Sequence, residues 1–172
     1  MQKTIIILLV TLATLATLAA QAMPARAAPL RQQSDLTLEG ANRLAGGAID
    51  ACRRQGRAIV VAVLDRGGNL VALQRSDGVG PHNTEASRRK AYTALSARTA
   101  TLDLARKAQA EPDARNLATL PELLLLGGGL PLLAHGEPVG AIGVAGGGGA
   151  ANDHACALAA IGALPELDPP VH

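Results

Sequence analysis

Apolar and polar positions alternate along this chain in four distinguishable ways. Thr4 to Ala22 is a mainly apolar run with no charged residue, rich in Ile, Leu and Ala. Leu38, Ala41, Ala45, Ala48, Ile49 and Cys52 then recur at helical spacing, a stripe on one face of a helix. Thr37 is a good N-cap for it, and Gly56 ends it at about Gln55. Ala58 to Leu64 is a continuous β-branched stretch, the mark of a strand buried on both faces. Leu70 to Arg75 alternates apolar and polar across the tight turn Asp65 to Asn69, so the two runs predict a hairpin.

The second half repeats these signals. A break at Gly78 to Pro81 precedes a helix capped by Asn83 or Thr84 and running to about Ala97. A second helix starts at Thr99 or Thr101 and reaches about Ala110, and Pro112 to Asn116 reads as loop. Leu123 to Leu126 reads as a short strand entering Gly127-Gly128-Gly129. Leu130 to Ala134 and Pro138 to Ala145 flank His135-Gly136-Glu137 as a further hairpin, and Ala150 to Leu164 closes the pattern as a helix. Strands joined by tight turns must pair antiparallel. The expected class is therefore α+β, a single antiparallel sheet of about five strands with helices packed on it.

Charge and composition narrow the function. Two of the 16 basic residues, Lys3 and Arg26, lie in residues 1–27, which hold no acid; that leaves 14 basic against 14 acidic residues in the rest. Bulk electrostatic binding of nucleic acid is excluded by that balance. Base stacking has no platform, since Tyr92 is the one aromatic residue. The short basic start, the apolar run and Ala25-Arg26-Ala27 have the layout of a secretory signal peptide, with cleavage expected after Ala27 and Ala22 as second choice. The expected organisation is a signal peptide over 1–27, a lead-in over 28–36, one domain over 37–164 and a tail over 165–172. The mature protein is expected in the periplasm or secreted, with no membrane insertion after cleavage. Cys52 and Cys156 either form a bridge, which an oxidising compartment preserves, or pack as small apolar groups.

Candidate chemistry is sparse. Gly146 to Ala151 fits a G-x-G-x-x-A pattern after a strand and before a helix. The further strand with an acid at its end that a dinucleotide site requires is missing, so no nucleotide cofactor is expected. His82 stands at a helix start, where a neutral imidazole can ligate haem iron. Lys90 and Arg75 are candidate cations for ligand carboxylates, and Thr84 a candidate contact. Arg88 and Arg89 are expected to face water. Gly127, Gly128 and Gly129 leave a surface poor in side chains that a helix, a second subunit or a flat ligand must cover. His135, in a turn, and His154, beside Asp153, read as structural.

Taken in order, several segments resemble the GlcG/HbpS haem-binding family. Val61 to Leu70 is similar to its first hairpin, and Arg75-Ser76-Asp77-Gly78 to its Arg-x-Asp-Gly. Ser87 to Ala94, through Lys90-Ala91-Tyr92-Thr93-Ala94, is similar to its Lys-Ala-x-Thr-Ala helix. Gly128-Gly129-Leu130-Pro131 and Gly140 to Val144 resemble its Gly-Gly-x-Pro and Gly-x-Ile-Gly-Val. Ala145 stands where the family usually has Ser, and His154 where an acid is common. The resemblance implies a profilin-like fold, haem or a related tetrapyrrole as ligand, and homo-oligomers. The leading expectation is an exported, non-catalytic haem-binding protein, with the site between the His82 loop and the Gly127 to Gly129 strand. The alternatives are an accessory enzyme or binding protein for a small hydroxy acid such as glycolate, and a ligand-free oligomeric scaffold.

Overall fold

Helix α1 (Leu38–Arg53) opens where the sequence places it, with the Thr37 hydroxyl accepting from the Gly40 amide at 3.1 Å. The structure is a computed structural model that describes residues 29–170. Residues 34–170 form one compact unit, and 29–33, which belong to a separate preceding unit, hold neither helix nor strand. The expected signal segment over 1–27 lies outside the described residues. No helix among the described residues is long and apolar enough to cross a membrane.

After α1 come β1 (Val60–Asp65), β2 (Leu70–Arg75), α2 (His82–Ala97), α3 (Thr101–Ala110) and a short α4 (Pro112–Arg115). A 3-10 turn (Asn116–Thr119) precedes β3 (Gly129–Ala134), β4 (Glu137–Ala145) and α5 (Ala150–Gly162). The strands form one antiparallel sheet of four, in the order β2-β1-β4-β3. Helices α1 and α5 pack on one face, over Ile59, Val61, Val63, Ile142 and Val144. Helix α2 packs on the other, over Leu64 and Ala141. β1 lies between two strands and two helix layers, which is why it reads as a continuous apolar run.

The fifth strand is absent. Leu123 to Leu125 is irregular and Leu126 a bend, because side chains of α2 and α3 take the backbone groups that a ladder would need. Arg89 Nη2 donates to the Leu123 carbonyl at 2.6 Å, and the Leu124 amide donates to Thr93 Oγ1 at 2.8 Å. Thr101 Oγ1 donates to the Leu126 carbonyl at 2.9 Å. Arg89 is therefore half-buried and engaged rather than solvent-facing. Helix α2 starts two or three residues early, with Pro81 at the cap position, and Asn83 folds its side chain back onto the Gly80 carbonyl at 3.1 Å. Neither Asn83 nor Thr84 is the cap. The expected loop over 112–116 is mostly helical, since a proline at a helix start has no amide hydrogen bond to lose. In the first hairpin, burial would raise the Asp65 pKa, but hydrogen bonds from the Asn69 side chain and the turn's own amides hold it below the usual range.

Cys52 on α1 and Cys156 on α5 are joined by a disulfide, with Cα atoms 5.5 Å apart. This settles the choice the sequence leaves open. Both are fully buried, and the bridge ties together the two helices of one face.

Candidate functional site

The site is built on one face of α2. His82, Ala86 and Lys90 are spaced by four and so align along the helix. They form one wall of a cleft of about 360 Å³. Gly146, Gly148, Gly149, Ala150 and Asp153 form the facing wall, and Leu126 closes one end. His82 is exposed at the rim. Its ring lies over Gly80, where a Cβ would come within 3.1 Å of the imidazole Cε1.

The floor is a buried ion pair. Lys90 Nζ donates to Asp153 Oδ2 at 2.8 Å and to the Val144 carbonyl at 3.0 Å. The other oxygen of Asp153 accepts the Gly147 amide at 2.7 Å. The two side chains are 2% and 5% exposed, so both charges are almost fully withdrawn from water and satisfied by each other. Asp153 thus fixes the loop between β4 and α5, and Lys90 fixes Asp153. Arg57 adds a hydrogen bond to the Gly147 carbonyl from behind. Asp153 is the residue that sequence reasoning missed. Its place in the first turn of an Ala-rich helix carried no local sign of a partner 63 residues earlier.

The other expected site residues fall as follows. Lys90 lines the cleft, but its ammonium is committed to Asp153 and Val144 rather than free to bind a carboxylate. Arg75 donates to the Val79 carbonyl and does not line the cleft. Thr84 is half-buried and also outside it; its carbonyl accepts the Ser87 hydroxyl at 2.9 Å. Gly127, Gly128 and Gly129 are buried and offer no open platform. A Cβ on Gly129 would strike the Lys90 carbonyl, and one on Gly127 would meet Leu102 and Ala150 at 2.9 and 3.0 Å. Helices α2, α3 and α5 together cover that surface. The cleft therefore opens toward Gly146 to Gly149, not toward the earlier glycine run.

Outside the cleft, on the outer side of α2, Arg88 makes a bidentate pair with Glu85 at 2.6 and 3.0 Å and holds its carboxyl below the usual range. Among the described residues no three of His, Cys, Asp and Glu come together as a metal site.

The family model for haem-degrading, HbpS-like proteins matches residues 36–162. The chain belongs to that family. A crystal structure of a Streptomyces reticuli HbpS double mutant is 39% identical, covers 84% of this chain and 97% of its own, and superposes with a TM-score of 0.75. Klebsiella pneumoniae protein ORFY is 27% identical in its crystal structure, over 80% of this chain and 96% of that one, with the same TM-score. Protein GlcG of Escherichia coli K12 is 30% identical over 109 residues, 63% of this chain and 80% of GlcG. Membership agrees with the ordered motifs of the sequence, and the described architecture is that of HbpS and ORFY.

Proposed function

We propose that this protein binds haem or a related tetrapyrrole in the cleft at the His82 end of α2. The observation that carries the reading is the exposed His82 imidazole, at the rim of a cleft whose floor charges are already neutralised. Membership of a haem-degrading family supports it. The residues fit such a ligand: His82 would hold the iron, and Asn83 with the first amides of α5 would meet its carboxylates. Bound haem would supply iron-centred chemistry, and the chain's own part is to bind and orient it. The cleft lies at the lower end of the usual range for ligand pockets, so a macrocycle would stand partly outside one chain. That favours a homo-oligomer, to be read as a dimer or larger by light scattering at micromolar concentration.

Titration of the mature protein with ferric haem tests the reading. A saturable Soret band is expected. His82→Ala should shift its maximum and weaken binding about tenfold or more, a loss of roughly 1.4 kcal/mol. His135→Ala, in the exposed turn between β3 and β4, should change neither. A parental spectrum and affinity in His82→Ala would rule out the ligand assignment, and no Soret band at all would favour the scaffold. The family's description also favours a second reading, in which bound haem is degraded. With dioxygen and ascorbate present, protein-dependent loss of the Soret band would support turnover, and a stable band would leave binding as the function.

Export belongs to the same proposal. It is supported by the three-part layout of residues 1–27 and by the Cys52–Cys156 bridge, which persists in oxidising compartments. Intact-mass analysis of periplasmic material should give a chain starting at Ala28. A mass retaining residues 1–27 would make that segment an anchor.

A further inference from the structure

The opposite end of α2 from His82 carries a second cleft, of about 310 Å³, between the β1–β2 turn and the helix C-terminus. Arg66, Gly68, Tyr92, Leu95 and Arg98 are among its walls. Arg98 caps α2 in the left-handed region, at φ 50° and ψ 36°, where glycine is the residue of least strain. Its exposed guanidinium forms no ion pair among the described residues, so no visible contact accounts for arginine at this strained position. Arg66 is largely buried, with its side chain 19% exposed, and meets one carboxylate, Glu137, at a long 3.5 Å.

The acids close in sequence are already engaged. Asp65 accepts from the Asn69 amide and side chain, and Asp103 pairs with Arg106 at 3.4 Å. The charged residues lining the cleft are Arg66 and Arg98. Beside the two guanidiniums it has an apolar wall. The Tyr92 ring lies over Gly68, where a Cβ would sit 3.4 Å from the ring carbon Cε2, and Leu95 continues that wall. A guanidinium presents a rigid fork of donors that matches a carboxylate, while a tyrosine ring and a leucine suit hydrocarbon.

We propose that this cleft binds a small organic carboxylate with an apolar body, held by Arg66 and Arg98. The site is independent of the haem reading and is tested on the ligand-free protein. Tyr92 is the chain's one aromatic residue, so intrinsic tyrosine fluorescence reports on this cleft alone. Titration with cyclohexanecarboxylate should give a saturable change with a Kd at or below about 1 mM. Neutral cyclohexanecarboxamide should give none. Arg98→Gly, which suits the left-handed cap, should keep or raise the thermal midpoint while weakening binding about tenfold or more, and Arg66→Gln should weaken it similarly. The proposal is overturned if the carboxylate titration is flat, if sodium chloride at equal ionic strength reproduces the change, or if both variants bind like the parent. Saturation by inorganic phosphate without saturation by the carboxylate would overturn the ligand class.

Discussion

Lys90 is the largest fully buried side chain among the described residues, and it is charged. A buried ammonium is tolerated only where a counter-charge and further acceptors replace the lost water. Asp153 and the Val144 carbonyl do that here, and the arrangement closes on the Gly147 amide. Lys90→Met should therefore destabilise the fold by about 3–5 kcal/mol, because the Asp153 carboxylate would be left buried without its counter-charge. Lys90→Met combined with Asp153→Leu should recover part of that loss. The remaining deficit, of about 1–3 kcal/mol, comes from the Gly147 amide and the Val144 carbonyl, which lose Asp153 and Lys90 as partners. Urea unfolding of the parent, the two single variants and the double variant measures the coupling. Additive losses would mean that the two charges do not stabilise each other.

At the scale of elements, the close seat of α2 on the sheet decides where a ligand can enter. Two glycines make that seat. A Cβ on Gly143 would strike the Ser87 carbonyl, and one on Gly129 the Lys90 carbonyl, both in the backbone of α2. Neither neighbour is a flexible side chain that can turn away. Gly129→Ala and Gly143→Ala should each cost about 1–3 kcal/mol or more by pushing the helix off the sheet. Gly46→Ala is the control. Gly46 lies inside α1 with nothing within 4 Å of an added Cβ, so alanine there should stabilise by about 0.5–1 kcal/mol. Thermal midpoints should move in opposite directions for the two kinds of site. A rise in all three would show that α2 can shift without loss.

For the whole molecule, the Cys52–Cys156 bridge closes a loop across 104 positions of sequence and encloses the entire sheet. Its main effect is on the unfolded chain, whose freedom it restricts. In the chain-entropy picture a loop of this length is worth up to about 4.7 kcal/mol, and removing a native bridge commonly costs about 2–5 kcal/mol. Cys52→Ala with Cys156→Ala should lower the urea midpoint accordingly, and the parent unfolded in the presence of a thiol should match it. Coincident curves for the oxidised parent and the double variant would mean that the loop is not constraining.

The sequence by itself determined the order of helices and strands apart from the helix at Pro112–Arg115 and the strand it expected over 123–126, together with the Thr37 cap, both hairpins, the balance of charge and the family. Those features are local or ordered: a periodicity, a turn, a cap, or motifs in succession. The tertiary structure alone decided what lies against each face. Leu123 to Leu126 has the apolar content of a strand, yet Arg89, Thr93 and Thr101 claim its backbone from helices distant in sequence. Gly127 to Gly129 signalled a surface needing cover without saying that the cover is α2, α3 and α5. Lys90 signalled a cation without signalling Asp153, and Cys52 gave no sign of choosing Cys156 over plain packing. Periodicity reports which side of an element avoids water, because that depends on neighbours in the chain. The partner on that side is set by contacts tens of residues away, and only the packed chain brings those together.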